Sequence, residues 1–141
     1  MKTIFALPLL VLALLTACGT NEYTGPDAHE EAIEFFDRLY NQRDLEGAAQ
    51  LATPSYRETL LRYGTVNSVG RYLYNMNFDE VDIEADRQGI SLYQDQRDTA
   101  RIQISFSGTL HNNRREALRD VVMVRHDGAW RLERVLDGRM N

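Results

Sequence analysis

The residues of this chain that could do chemistry are one cysteine, three histidines, a run of alternating acids and a pair of arginines. Cys18 is the only thiol, so the chain closes no disulfide of its own. His29, His111 and His126 are scattered, none at i, i+4 from another ligand, and together they make no zinc site. His126 adjoins Asp127 in a turn signal where both should be solvated, His29 falls in a first helical turn, and His111 flanks a turn. Asp82, Glu84 and Asp86 lack the loop and glycine of a calcium site and read as the solvated face of a strand. Tyr63, Tyr72 and Tyr74 lie where helices give way to strands and either cap the core or touch a ligand. No metal and no cofactor is expected from this set. Arg119 and Arg134 gain interest only when the strands that carry them are placed in register.

Cys18 gains its meaning from what precedes it. Lys2 and the amino terminus form a short positive region, followed by an apolar run from Ile4 to Leu15 broken only by Pro8. A bilayer span needs roughly 20 apolar residues, so a run of this length suits the core of an export signal. It ends in Leu15-Thr16-Ala17-Cys18, which resembles the lipobox of bacterial lipoproteins. The resemblance implies cleavage before Cys18, diacylglycerol on its thiol and acylation of the new amine. Several acyl chains make a stable anchor where one is marginal. Gly19 stands where an aspartate commonly retains Gram-negative lipoproteins in the inner membrane, so the resemblance points to the outer membrane, facing the periplasm.

These features divide the chain into a signal peptide at 1–17, an acylated cysteine with a short tether at 18–26, and one domain at 27–141. The tether GTNEYTGP is polar and punctuated by Gly and Pro, and its eight residues reach at most about 28 Å. With 16 basic against 21 acidic residues and a net charge of −5, the chain lacks the basic surface that nucleic acid requires. Acids dominate up to residue 98 and arginines thereafter.

Asp27 with Glu30 forms a capping box, and Ala32, Ile33, Phe36, Leu39 and Tyr40 give one apolar stripe, predicting a helix from Asp27. A shorter helix is predicted over Leu45 to Ala52 behind Asp44. A third follows Thr53-Pro54 and ends at Gly64, with a further helical turn or two over 66–76. From Phe78 the period becomes two: Val81, Ile83 and Ala85 alternate with acids, and Ala100 to Leu110, Arg115 to Arg125 and Ala129 to Leu136 complete a set of strands. Asp127-Gly128 and Asn112-Asn113 are read as two-residue hairpin turns. Aligning Ile90 and Leu92 with the next strand requires a five-residue loop or a bulge around Asp95 to Asp98. The class expected is α+β, with N-terminal helices packed on a curved antiparallel β-meander.

Those turns set a register in which Ile104 faces Val121, Ile102 faces Met123, Phe106 faces Arg119 and Val121 faces Arg134. Ile102, Ile104, Phe106, Val121, Met123, Trp130, Leu132 and Leu136 then share one face, and Arg119 and Arg134 fall on it as diagonal neighbours. Buried guanidinium groups are costly without anions. Either they reach water at the sheet margin, or they pair with Glu34 or Asp37 of the first helix, or they bind an anionic ligand.

The capped helix with F-F-x-x-L-Y, the short helix ending at T-P and the meander finishing V-M-V-R-H-D-G-A-W-R-L resemble the nuclear-transport-factor-two-like superfamily. The likeness is diffuse over the mature chain and sharpest at Gln42 to Pro54 and in the final D-G-x-W hairpin. It implies a cystatin-like cone in which a curved sheet wraps the first helix, often around a pocket and sometimes paired as a homodimer. The superfamily holds isomerases, polyketide cyclases, dehydratases and members without catalysis, so fold alone implies no reaction. Its enzymes place an aspartate or histidine, often with a tyrosine, inside the cone, and no equivalent motif stands in this sequence. The expectation is a membrane-anchored, non-catalytic binding module for an unidentified protein or small molecule. The alternative is a small cone-fold enzyme acting on an apolar ligand.

Overall fold

The computed structural model describes residues 25–87 and 98–137. The leader, Cys18, most of the tether and nearly all of the loop expected at Asp95 to Asp98 lie outside them. Helix α1 (Ala28–Tyr40) begins where the capping box puts it. The Asp27 carboxylate accepts from the Glu30 N–H at 2.8 Å, and Glu30 accepts from the Asp27 N–H at 3.0 Å. Asp44 caps α2 (Leu45–Gln50), and Thr53 caps α3 (Pro54–Arg62) with Pro54 in its first turn. Gly64, at φ +77°, ends that segment in the left-handed region open to glycine. The single turn α4 (Val66–Ser68) widens into a π-helical turn over Val69–Leu73. Gly70 permits this crowding, since a Cβ there would lie 2.8 Å from the Met76 carbonyl.

Four antiparallel strands follow in the order β1 (Glu80–Ala85), β2 (Thr99–Leu110), β3 (Asn113–His126) and β4 (Ala129–Leu136). The architecture is α+β, with helices packed on an open four-stranded sheet. The inner face carries Ile102, Ile104, Phe106, Val121, Met123 and Leu132 against Ala32, Phe35, Phe36, Leu39 and Tyr40 of α1. Phe35 is fully buried although it lies off the expected stripe, while Ile33 is only half-buried. Phe36 meets Phe106 edge-on at 4.9 Å between centroids, and Tyr40 meets Phe78 likewise at 5.4 Å. The opposite face is largely polar, with Glu80 beside Thr109, Asp82 beside Ser107 and an Arg101–Asp120 ion pair at 2.6 Å.

The Asp127-Gly128 turn is as expected, with Arg125 opposite Trp130 and Met123 opposite Leu132. The preceding hairpin turns one residue earlier, at His111-Asn112, both at positive φ. Ile104 therefore faces Arg119, Ile102 faces Val121 and Phe106 faces Ala117. A shift of two in pairing leaves every side chain on its face. A bulge in β4 has a larger effect. Leu132 pairs with Met123 but Arg134 pairs with Val122, so Glu133 is an extra residue. Val135 rather than Arg134 then stands opposite Val121, and Leu136 stands opposite Asp120.

Two sheet edges are occupied by the chain itself. The Asn41 side-chain amide donates to the Val81 carbonyl at 2.8 Å and accepts from the Val81 N–H at 3.0 Å, imitating a strand beside β1. Leu51 and Thr53 exchange backbone bonds with Leu132 at 2.9 Å each, covering part of the outer edge of β4. β4 reaches only as far as Asp120 along β3, and among the described residues no strand lies beside Asn113 to Arg119 on the side away from β2.

Candidate functional site

Beside that uncovered stretch of β3 lies an open trough of about 980 Å3. Phe106 of β2, Ala117 of β3 and Tyr74 at the end of the π-helical turn line its inner side, and Ser105 and Leu118 line its outer side. Tyr74 is placed by the sequence around Gly70: the wide turn ends with the Tyr74 N–H donating to the Val69 carbonyl. The Tyr74 ring packs against Phe36 at 6.0 Å, and its hydroxyl meets that of Tyr56 at 2.7 Å. Burial pushes Tyr56 up to about 12, and burial beside Tyr56 also pushes Tyr74 well above the usual phenol value, so both phenols are neutral at physiological pH. Glu116, Arg119 and Asp137 are the titratable groups at the trough besides Tyr74, with both carboxylates exposed.

Arg119 reaches the trough, but the pairing with Arg134 is corrected by the bulge. Arg134 is exposed and opposite Val122, on the other face from Val121. The alternative of ion pairing to α1 is corrected as well. Glu34 is engaged by Arg38 at 2.6 Å, and Asp37 accepts from the side chains of Asn41 and Gln42. These two amides hold the Asp37 carboxyl below its usual range. Arg119 instead donates to two backbone carbonyls, those of Leu118 at 2.8 Å and Tyr74 at 3.1 Å. This use was not among the expectations, and only the π-helical turn, which brings the Tyr74 carbonyl to β3, makes it available.

His111 is exposed in its hairpin turn, His126 is exposed at the end of β3, and His29 stands in the first turn of α1, 3.9 Å from Asp27. Among the described residues no cluster of three metal-ligating side chains forms, and Asp82 and Glu84 lie along the polar face of β1. Of the three tyrosines, Tyr74 lines the trough and Tyr72 is 69% exposed. Sequence reasoning passed over Glu31. It is buried in α1, and its Oε2 accepts no hydrogen bond and meets the Arg131 guanidinium in a long ion pair at 4.0 Å. Burial raises its pKa. Glu31 follows Glu30 of the capping box, and helical spacing from Phe35 and Ala28 was the available signal that it faces inward. Cys18 lies outside the described residues, among which no helix is long and apolar enough to cross a membrane.

Compared with protein-family models, curated proteins and solved structures, the chain matches none.

Proposed function

We propose that this chain is a membrane-anchored envelope lipoprotein, acylated at Cys18 and held in the outer membrane facing the periplasm. Its domain, read as a small cone of nuclear-transport-factor-two-like character, acts as a non-catalytic binding module. The observation that carries the binding reading is the open trough at the uncovered edge of β3, with an apolar floor and a polar rim.

The test is Cys18→Ala in the full chain, expressed with its own leader. Incorporation of labelled palmitate and membrane sedimentation are expected to be lost together. A Cys18→Ala protein that still takes label, or an unlabelled wild type, overturns the anchoring. Native mass spectrometry of the mature protein tests the trough, where a bound mass of a few hundred daltons identifies a small ligand.

A second reading, a cone-fold enzyme acting on an apolar ligand, draws its support from the Tyr56–Tyr74 hydroxyl pair behind the trough. A neutral phenol can donate a hydrogen bond to a developing oxyanion. Turnover lost in Tyr74→Phe with the fold intact would favour it.

A further inference from the structure

A second cavity, of about 510 Å3, lies where β2 turns into β3, and it shares only Asn75 with the lining of the trough. The π-helical turn contributes Gly70, Arg71 and Tyr72 to it, Arg43 comes from the link between α1 and α2, and His111 from the hairpin turn. Wide helical turns of this kind recur at functional sites. Backbone conformation singles out the same place. Of the five non-glycine residues at positive φ among the described residues, Arg43 (57°), Asn75 (47°) and His111 (51°) all line this cavity. Left-handed backbone at a residue with a Cβ is costly and gathers at ligand sites. The described segments begin or stop at Gly25, Arg87, Asp98 and Asp137, none of which lines the cavity. Asp98 precedes β2 and His111 follows it, about 40 Å apart along the strand.

This cavity is rich in donors and poor in free acceptors. Asn67 Oδ1 accepts from Arg43, Asn77 Oδ1 from the Phe78 N–H, and the Ser68 hydroxyl oxygen from Thr65. Their own amide and hydroxyl hydrogens are left over. Arg43 donates to Asn67 and to the Phe78 carbonyl at 3.4 Å each, long bonds that lose little when the guanidinium turns to an anion. Arg71 is exposed and has no hydrogen bond or ion pair with any described residue. One carboxylate lines the cavity, that of Asp79, and its Oδ2 is taken by the His111 N–H at 2.6 Å. Asp44 and Glu80, the acids next to Arg43 and Asp79 in sequence, do not line it. Two guanidinium groups therefore outnumber one engaged carboxylate, and donors reach the cavity from separate segments. That arrangement suits an anion whose acceptor oxygens point in several directions, as those of a phosphate do and those of a planar carboxylate do not.

We infer that this second cavity binds a phosphate ester, with Arg43 and Arg71 holding the phosphate and the Asn67 amide and Ser68 hydroxyl donating to its remaining oxygens. The volume exceeds what inorganic phosphate fills and falls in the range of small-molecule sites, so the phosphate is carried on a larger body. Tyr72, 69% exposed on the lining, offers a ring face to that body. A soluble ester and a phospholipid headgroup both present this chemistry. The site is separate from the trough and does not depend on what the trough binds.

The test is NMR titration of the 15N-labelled mature protein, purified in neutral detergent from cells expressing the full chain. The probes are glycerol 3-phosphate and, as the lipid source, dihexanoyl phosphatidylglycerol. At least one is expected to bind saturably with a Kd below about 1 mM, shifting the side-chain amides of Asn67 and Asn77 and the Arg71 Nε–H. The tighter of the two names the source as a free ester or a headgroup. Arg71→Gln, which removes no bond within the described residues, should weaken that binding about tenfold or more. Arg134→Gln removes the same charge from the outer face of β4 and should leave the Kd unchanged. The inference falls if neither probe saturates by about 10 mM, if glycerol binds as well as its phosphate, or if both variants weaken binding equally. Citrate binding as tightly as the ester would make the ligand a carboxylate and also overturn it. Shifts at Tyr74, Ala117 and Leu118 instead would place the ester in the trough, removing this site while supporting the binding module.

Discussion

Arg119 shows how one side chain can be placed correctly on a face while its hydrogen-bond partners go unforeseen. Alternation along β3 put it on the inner side, where it is, but its partners are the carbonyls of Leu118 and Tyr74 rather than carboxylates. Backbone acceptors are invisible in side-chain chemistry, so the sequence could not announce them. Glu31 is the converse case, a buried carboxylate whose Oε2 accepts no hydrogen bond and has only the Arg131 guanidinium, at 4.0 Å. Its raised pKa means that the protonated form is favoured by folding. Stability from this group is full below the ordinary glutamate pKa and is lost as pH rises through the elevated folded value. Glu31→Gln should therefore stabilise the protein at pH 7. Urea melts of both proteins should converge as the pH falls toward 4, and a difference that persists there would refute the account. Tyr56→Phe leaves the Tyr74 hydroxyl without its partner and should cost about 1–2 kcal/mol in the same assay.

At the scale of elements, caps and turns were the most legible features. Asp27, Asp44 and Thr53 each cap a helix, and Asp127-Gly128 sets the last hairpin, because each depends on a few adjacent residues. What depended on chain crossing was less legible. His111, rather than Asn113, joins Asn112 in the turn, at φ 51°, although asparagine is the residue expected to tolerate that region. The β4 bulge did leave a trace: the inward residues Leu132 and Val135 are three apart, which strict alternation forbids. The trough was illegible because its walls come from the π-helical turn, β2 and β3, which no local pattern brings together. Close approach also explains Gly108. It pairs with Val81, and a Cβ there would lie 2.8 Å from the Val81 Cα. Gly108→Ala should cost about 2 kcal/mol and loosen β1 first, seen as faster hydrogen exchange in Glu80 to Ala85 than elsewhere in the sheet. Asn41→Ala, which strips the side-chain bonds from the Val81 backbone, should cost about 1 kcal/mol and loosen the same strand.

For the molecule as a whole, one hydrophobic core joins α1 to all four strands through the ring cluster around Phe36, Tyr40, Phe78 and Phe106. Phe36→Ala removes the ring shared by α1, Tyr74 and β2 and should cost about 4 kcal/mol, with the thermal transition still single. Two separate transitions would show that the helices and sheet are not one cooperative unit. The bulge also bears on how this chain can vary in length through descent. Removing Glu133 would leave a regular ladder in which Leu132, Arg134 and Val135 keep the sides they now occupy. Removing Arg134 instead leaves the same ladder with Glu133 on the outer side, whereas removing Leu132 or Val135 takes an inward residue from the core side. A one-codon loss in β4 is therefore expected to be tolerated at Glu133 or Arg134 before Leu132 or Val135.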